Sequence, residues 1–559
     1  MSVRNRFALL LATSALLFLA ACGSNNNNVT PPVAPPSGNF TNANLTGTYV
    51  FSVLGSDFNG APYAIVGTIN ADGSGGNGRG NITGGTIDIN DSETTPTPGL
   101  SVATGGFYSI GIDGRGTFTI GTTTANPFGA NMTFDVVLSS SSHGLVTEFD
   151  NNGTGSGTID LQTANTAPTG TYAFSLSGIS ALTSTQAIPA VGVGAFTLDS
   201  SGNIIAGESA ADFNNQDVAT TNQALSGNVA LGPSTTPSTV LGTPFGTLTF
   251  DTYVIDASHF KLIETDTTGP VLAGDAFSQT STSISGTLAF TLAGENLGTT
   301  IAAAGGFINT DGTATITSGT EDYNNGGGPS TSPVSFTGTY SSTGSLVTGR
   351  SVLSLTTFFG GSSYAAYPSS GGLLLLEIDG LGTMSGVAYN QSTTTFGATS
   401  QGYGLNLTGT NPGIGNGAVE VDDIAEFTAG AASSGAGTLS SGIIDENFEP
   451  DGGPTLGLAL SDGTYQALDS TGRYGLAVTA GNNSITTLNG GLGATFYTVD
   501  GTTFPFIETD TNTGQVATGV IVLQTPTAAA AGAASRTHMF IPPPPIRSHT
   551  VRQQKKKAN

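Results

Sequence analysis

Two widely separated stretches of this chain are almost the same phrase: FKLIETDTTG at 260–269 and FPFIETDTNTG at 504–514. A repeat of this kind constrains the fold more than any composition does, because it makes the chain a series of similar units. Three further landmarks recur in the same order. Each unit opens on Gly47-Thr48-Tyr49, Gly170-Thr171-Tyr172, Gly286-Thr287-Leu288 or the degraded Gly402-Tyr403-Gly404. Next comes an Asp-x-Asn: Asp88 with Asn90, Asp212 with Asn214, Asp322 with Asn324, Asp445 with Asn447. A Gly-Arg pair follows at Arg115, Arg350 and Arg473, and is missing from the second unit. The closer is Glu-x-Asp: Glu148/Asp150, Glu264/Asp266, Glu377/Asp379 and Glu508/Asp510. A last segment then ends near a Gln, in TIDLQT, DAFSQT, VAYNQS and VIVLQT. The units run over 45–163, 168–281, 284–391 and 400–525.

Units of roughly 115 residues are too long for a propeller blade or a solenoid turn and have the size of a domain. Alternating stretches such as TYVFSV at 48–53 and TYAFSLS at 171–177 read as half-buried strands. The 82 glycines, with Asn and Asp, punctuate about seven or eight short strands per unit. No segment is left for crossover helices. The expected class is all-β: four tandem antiparallel meanders, each closing as a small β-barrel or folding as a β-sandwich. Closure is the preferred form because it removes exposed strand edges, and the Cys and Trp of an immunoglobulin core are absent.

The N-terminus carries Arg4 and Arg6 before the apolar run FALLLATSALLFLAAC. This is an export-signal pattern over 1–21, shorter than the about 20 apolar residues of a membrane span. Leu19-Ala20-Ala21-Cys22-Gly23 resembles the lipobox of bacterial lipoproteins. The resemblance implies that Cys22, the only Cys in the chain, carries lipid as the mature first residue, and that Gly23 after it directs the protein to the outer membrane. Residues 22–44 are rich in Asn, Pro, Ser and Gly and read as a flexible tether. Residues 526–559 form a tail with six basic residues and no acid, expected to be disordered. With its tandem Gly/Thr-rich β-repeats, the chain is similar to exported bacterial lipoproteins of that architecture, many of which have no assigned activity.

Between signal and tail lie only Arg79, Arg115, Lys261, Arg350 and Arg473 against all 38 acids. Such a body lacks the basic footprint of a nucleic-acid binder. In an alternating strand the closer Glu continues an apolar face, so Glu148, Glu377 and Glu508 need partners. Arg115, Arg350 and Arg473 are the expected ones, as bidentate ion pairs within each unit. The second unit is the exception: its Lys261 points to the face opposite Glu264. Paired catalytic carboxylates are the competing reading of Glu-x-Asp, but turn formation by the Asp accounts for it without chemistry. Asp88, Asn90, Asp212, Asn214, Asp322, Asn324, Asp510 and Asn512 are candidates for a loosely held calcium, though no twelve-residue loop with a closing Glu is present. No zinc set, nucleophile elbow or phosphate loop is present in the sequence, so no cofactor and no catalytic residue is assigned. Binding or adhesion at the cell surface, to a glycan or protein ligand, is the leading expectation, because tandem sites gain by effective concentration. An envelope spacer without ligand and a glycan-directed enzyme are the alternatives. A recurrent exposed aromatic cluster would favour glycan binding, and its absence the spacer.

Overall fold

Four meanders of antiparallel strands run through the chain, at 46–161, 170–278, 286–390 and 401–523. In this computed structural model the described residues are 38–526, apart from 77, 130, 183–186, 233–238, 280, 297–299, 327, 331, 360, 398–400, 412–418, 450–453, 481–490 and 512–513. The signal, Cys22, most of the tether, Asn512 and the basic tail from 527 lie outside them. Only a three-residue 3-10 turn, Asn42–Asn44, interrupts the strands among the described residues. No helix among them is long and apolar enough to cross a membrane, which says nothing about strands.

The third and fourth meanders are closed barrels of eight strands. In the first, Thr46–Asp57 pairs with both Pro62–Asp72 and Gly153–Leu161, and Gly80–Asp91 joins Pro62–Asp72 to Gly106–Ile110, so a circuit of eight strands also closes. The second meander stays open between Val218–Ala224 and Gly227–Asn228 among the described residues. The barrel form therefore prevails over the sandwich, and the reason is visible in the first-to-last strand pairing. In each unit a glycine of the last strand lies against the first strand where no side chain fits. A Cβ on Gly157, Gly274, Gly386 or Gly519 would come 1.7, 1.8, 2.0 or 2.2 Å from the carbonyl oxygen of Ser52, Ser175, Thr291 or Asn406.

Alternation sends one face of every strand inward, and aromatic rings fill the interiors. Phe51, Phe118 and Phe134 meet with centroids 4.8–5.6 Å apart in the first barrel. The segments entering three of the barrels supply plugs to their cores: Phe40, Ile284 and Phe396. Phe396 alone packs on Tyr403, Tyr465, Phe496 and Phe504. At about 25 cal/mol per Å², such rings dominate the stability of each barrel.

The barrels are not independent beads. The described residues belong to one compact unit, and each barrel packs its second strand on the closing strands of the next. The fourth packs back on the first, so the series closes into a ring.

Candidate functional site

The repeated landmarks meet at the seams of this ring. The Asn of each Asp-x-Asn crosses to the next barrel and donates its side-chain amide to two backbone carbonyls that flank the turn after Glu-x-Asp. Asn214 reaches Glu377 O (2.9 Å) and Gly382 O (2.7 Å). Asn324 reaches Glu508 O (3.1 Å) and Gln515 O (2.8 Å). Asn90 reaches Glu264 O (3.0 Å) and Pro270 O (3.1 Å), and Asn447 closes the ring on Glu148 O (2.8 Å) and Gly153 O (2.9 Å). One amide with two donors satisfies two buried acceptors that the meander leaves open.

The terminal Gln is a second cross-seam bond. Gln162, Gln279, Gln391 and Gln524 donate to the carbonyls of Val254, Pro368, Thr498 and Leu138, at 2.6, 3.0, 3.1 and 3.0 Å.

The arginines form ion pairs, but not with the glutamates expected from the sequence. Arg350 grips Asp212 of the preceding unit with two bonds, Nε to Oδ2 at 2.7 Å and Nη2 to Oδ1 at 2.5 Å, and the Tyr367 hydroxyl adds a third at 2.5 Å. Arg473 holds Asp322 in the same way, with Tyr497. Arg115 bonds Asp113 beside it and Asp445 of the fourth unit at 2.9 Å. The correction has a simple cause. Glu148, Glu377 and Glu508 point into their own barrels, whereas the arginines stand at or just before the start of a strand and reach across the seam. The second unit resolves its exception here too. Lys261 turns to the seam, bonding Asp275 and Thr158 of the first unit, both at 2.9 Å. Asp88, without an Arg, faces Asp251 and Tyr253, and burial, then Asp251, push its carboxyl well up.

The interior glutamates are sealed. Glu148 accepts from the Tyr63 hydroxyl, and Glu377 from Met384 N at 3.1 Å. Burial pushes Glu264 and Glu377 up to about 9, so they stay protonated at neutral pH. The Asp of the closer is a strand-end acceptor. Asp150, Asp266, Asp379 and Asp510 take the backbone N–H of Thr133, Thr249, Ser363 and Gly493 at 2.8, 2.8, 3.2 and 2.9 Å. The Asp and Asn side chains considered for calcium thus find protein partners, and Asn512 lies outside the described residues. Among the described residues no group of three or more His, Cys, Asp or Glu is arranged to hold a metal ion.

One seam differs in a way the sequence reading missed. Where the other second strands present Ala64 and Val66, Val191 and Val193, or Ile301 and Ala303, Val419–Ala429 presents Glu420, Asp422 and Glu426, all buried. Asp422 is held by Ser156 Oγ (2.6 Å) and Thr154 Oγ1 (2.9 Å) of the first unit. The signal was legible as VEVDDIAE, four acids in a strand whose counterparts hold no acid but the terminal Asp72 of the first unit.

Exposed large apolar side chains among the described residues are Phe58, Ile112, Val218, Leu231, Leu346, Leu381, Leu456 and Leu468, with a single aromatic among them. No aromatic platform recurs on the units there.

No family model matches the chain, and no curated protein matches it. The solved structures that align include the following two. The isotype 1 transferrin binding protein B of serogroup B Neisseria meningitidis is 10% identical, over 67% of this chain and 82% of its own, with a TM-score of 0.18. A protein of unknown function of the DUF3598 family from Nostoc punctiforme is 10% identical, over 44% of this chain and 98% of its own, with a TM-score of 0.12. At such scores neither likeness bears on what this chain binds.

Proposed function

We propose that the chain is an exported envelope protein, anchored in the outer membrane through lipid on Cys22, whose ring of four barrels binds a glycan or protein ligand at the cell surface. One observation favours binding over spacing: the ring is closed. Asn447 and Gln524 tie the fourth barrel to the first. A spacer gains from reach, and closure gives up reach. A binder gains from fixed relative positions of similar surfaces, because preorganisation lowers the ordering cost of multivalent contact. The exposed loops of the barrels, rather than an aromatic platform, are the contact surface in this reading. A glycan-directed enzyme is disfavoured by burial: Glu148, Glu264, Glu377 and Glu508 are 0% exposed and cannot meet a substrate. The spacer remains the second reading, supported by the lack of a recurrent aromatic cluster among the described residues.

Protease shaving of intact cells that express the whole chain tests this directly. Release of peptides from 45–525 while periplasmic markers stay protected, together with palmitate labelling lost in Cys22→Ala, is the expected result. Shaved and unshaved cells are then compared for retention on glycan and matrix-protein arrays. Full protection of the repeats sinks the surface reading, and unchanged retention after shaving sinks binding.

A further inference from the structure

Two seams of the ring are filled with apolar side chains, the first mixes such side chains with Asp88, Asp251 and Lys261, and the closing one is rich in acids. Val191 and Val193 meet Tyr367, Leu374 and Leu376 between the second and third units. Ile301 and Ala303 meet Ile507 and Val516 between the third and fourth. The closing seam keeps a small apolar patch, Val137, Leu145, Ile424, Val520 and Val522. Beside it stand Glu420, Asp422 and Glu426, with Asp445 from the adjoining strand. The first unit answers them with one cation, Arg115, and two more acids, Asp113 and Asp135. His143, on the neighbouring strand, is engaged by Asp160. Behind the seam, Tyr63 and Glu148 lie inside the first barrel, and Asp423, Glu446 and Glu508 inside the fourth. Asp135 faces Asp445 across the seam, and both oxygens of Glu426 lack a hydrogen-bond partner.

We propose that the closing seam is a proton-operated latch: it holds while its carboxylic acids are protonated, and it releases as they ionise, turning the ring into an open arc. A lone Arg115 cannot neutralise this many buried carboxylates, and a buried unpaired charge is relieved by water entry. The sign follows from the direction of the shifts. Burial raises Asp422 to about 6 and Glu426 to about 8. A group held above its ordinary value favours the closed state fully below that ordinary value, and the contribution fades as pH climbs through the raised one. The latch is therefore tightest in acid and loosens between about pH 4 and pH 8. The two sister seams whose Asp212 and Asp322 are paired with Arg350 and Arg473 carry no acids among the second-strand side chains that fill them, and stay shut across the same range.

Fluorescence energy transfer between dyes on Asn151→Cys and Leu456→Cys of the full chain, in detergent, reads the latch. The expected result is a change in transfer efficiency between pH 5 and pH 8.5, with circular dichroism constant. In E420Q/D422N/E426Q, whose amides mimic the protonated acids, transfer stays at the acid value throughout. A second variant covers the case in which that triple fails to fold. A Cβ at Gly404 would lie 3.6 Å from Val137 Cβ, within disulfide range, so the oxidised V137C/G404C pair should hold the acid value at pH 8.5 and release it on reduction. Constant transfer in the parent chain from pH 5 to 8.5 overturns the proposal. So does an unchanged pH response in the amide or disulfide variant.

Discussion

The seam between the second and third units and the seam between the fourth and first are built on the same frame. Each has an Asn across two carbonyls, a Gln on a third and an Arg on the Asp. They differ in what fills the space between. Valine, leucine and tyrosine fill the one, and glutamate and aspartate the other. The frame therefore sets where neighbouring barrels sit, and the filling sets under which conditions they stay there. Four of the five basic residues of the body, Arg115, Lys261, Arg350 and Arg473, are spent on the frame.

The largest effect expected is at the apolar seam. Arg350→Ala leaves Asp212, 0% exposed, with only the Tyr367 hydroxyl and backbone around it, at a cost of about 3–5 kcal/mol in denaturant unfolding. Its counterpart Arg115→Ala should cost much less at pH 5 than at pH 8, because burial already favours the proton on Asp445. Equal costs at both pH values would erase the distinction between the seams. Gly274→Ala drives a Cβ into the Ser175 carbonyl and should destabilise the second barrel by about 3 kcal/mol. A smaller loss would show that the strands slide apart cheaply. Asn324→Ala removes the partner of two buried carbonyls, worth about 2 kcal/mol, whereas Asn447→Ala should appear mainly as a looser closing seam. Inside the barrels, Glu377 is raised to about 9, so its contribution is complete below about pH 4 and lost as pH rises through 9. Glu377→Gln should flatten that alkaline loss, by roughly 1–2 kcal/mol, and an unchanged pH–stability curve would refute it. The smallest effect belongs to Arg79, outside every seam, whose guanidinium lies 3.5 Å over the Phe107 ring. Arg79→Ala should shift stability by about 0.5 kcal/mol.

The strand class, the four units and the inward glutamates are legible in the sequence because they follow from short-range rules. Glu264 shares parity with Phe260 and Leu262, and the structure buries all three together. The pairing of Arg350 was not legible. Parity places a side chain on a face but does not say what lies beyond that face, and for a seam strand it is another barrel. The Gln after each last strand was visible as a recurrent letter without a role, since its acceptor lies in the next unit. The acids of VEVDDIAE were visible too, but in an acidic chain a run of carboxylates reads as solvated until burial is known.

Alternation, turn residues and repetition are local, and so the sequence by itself determined what each unit is: an antiparallel all-β meander with one acid at the end of its interior face. Closure of the ring, and the choice of Asp212 over Glu377 as the partner of Arg350, were decided by tertiary structure alone. They depend on contacts between residues 138 positions apart at one seam and 330 at another, and no local rule reaches that far.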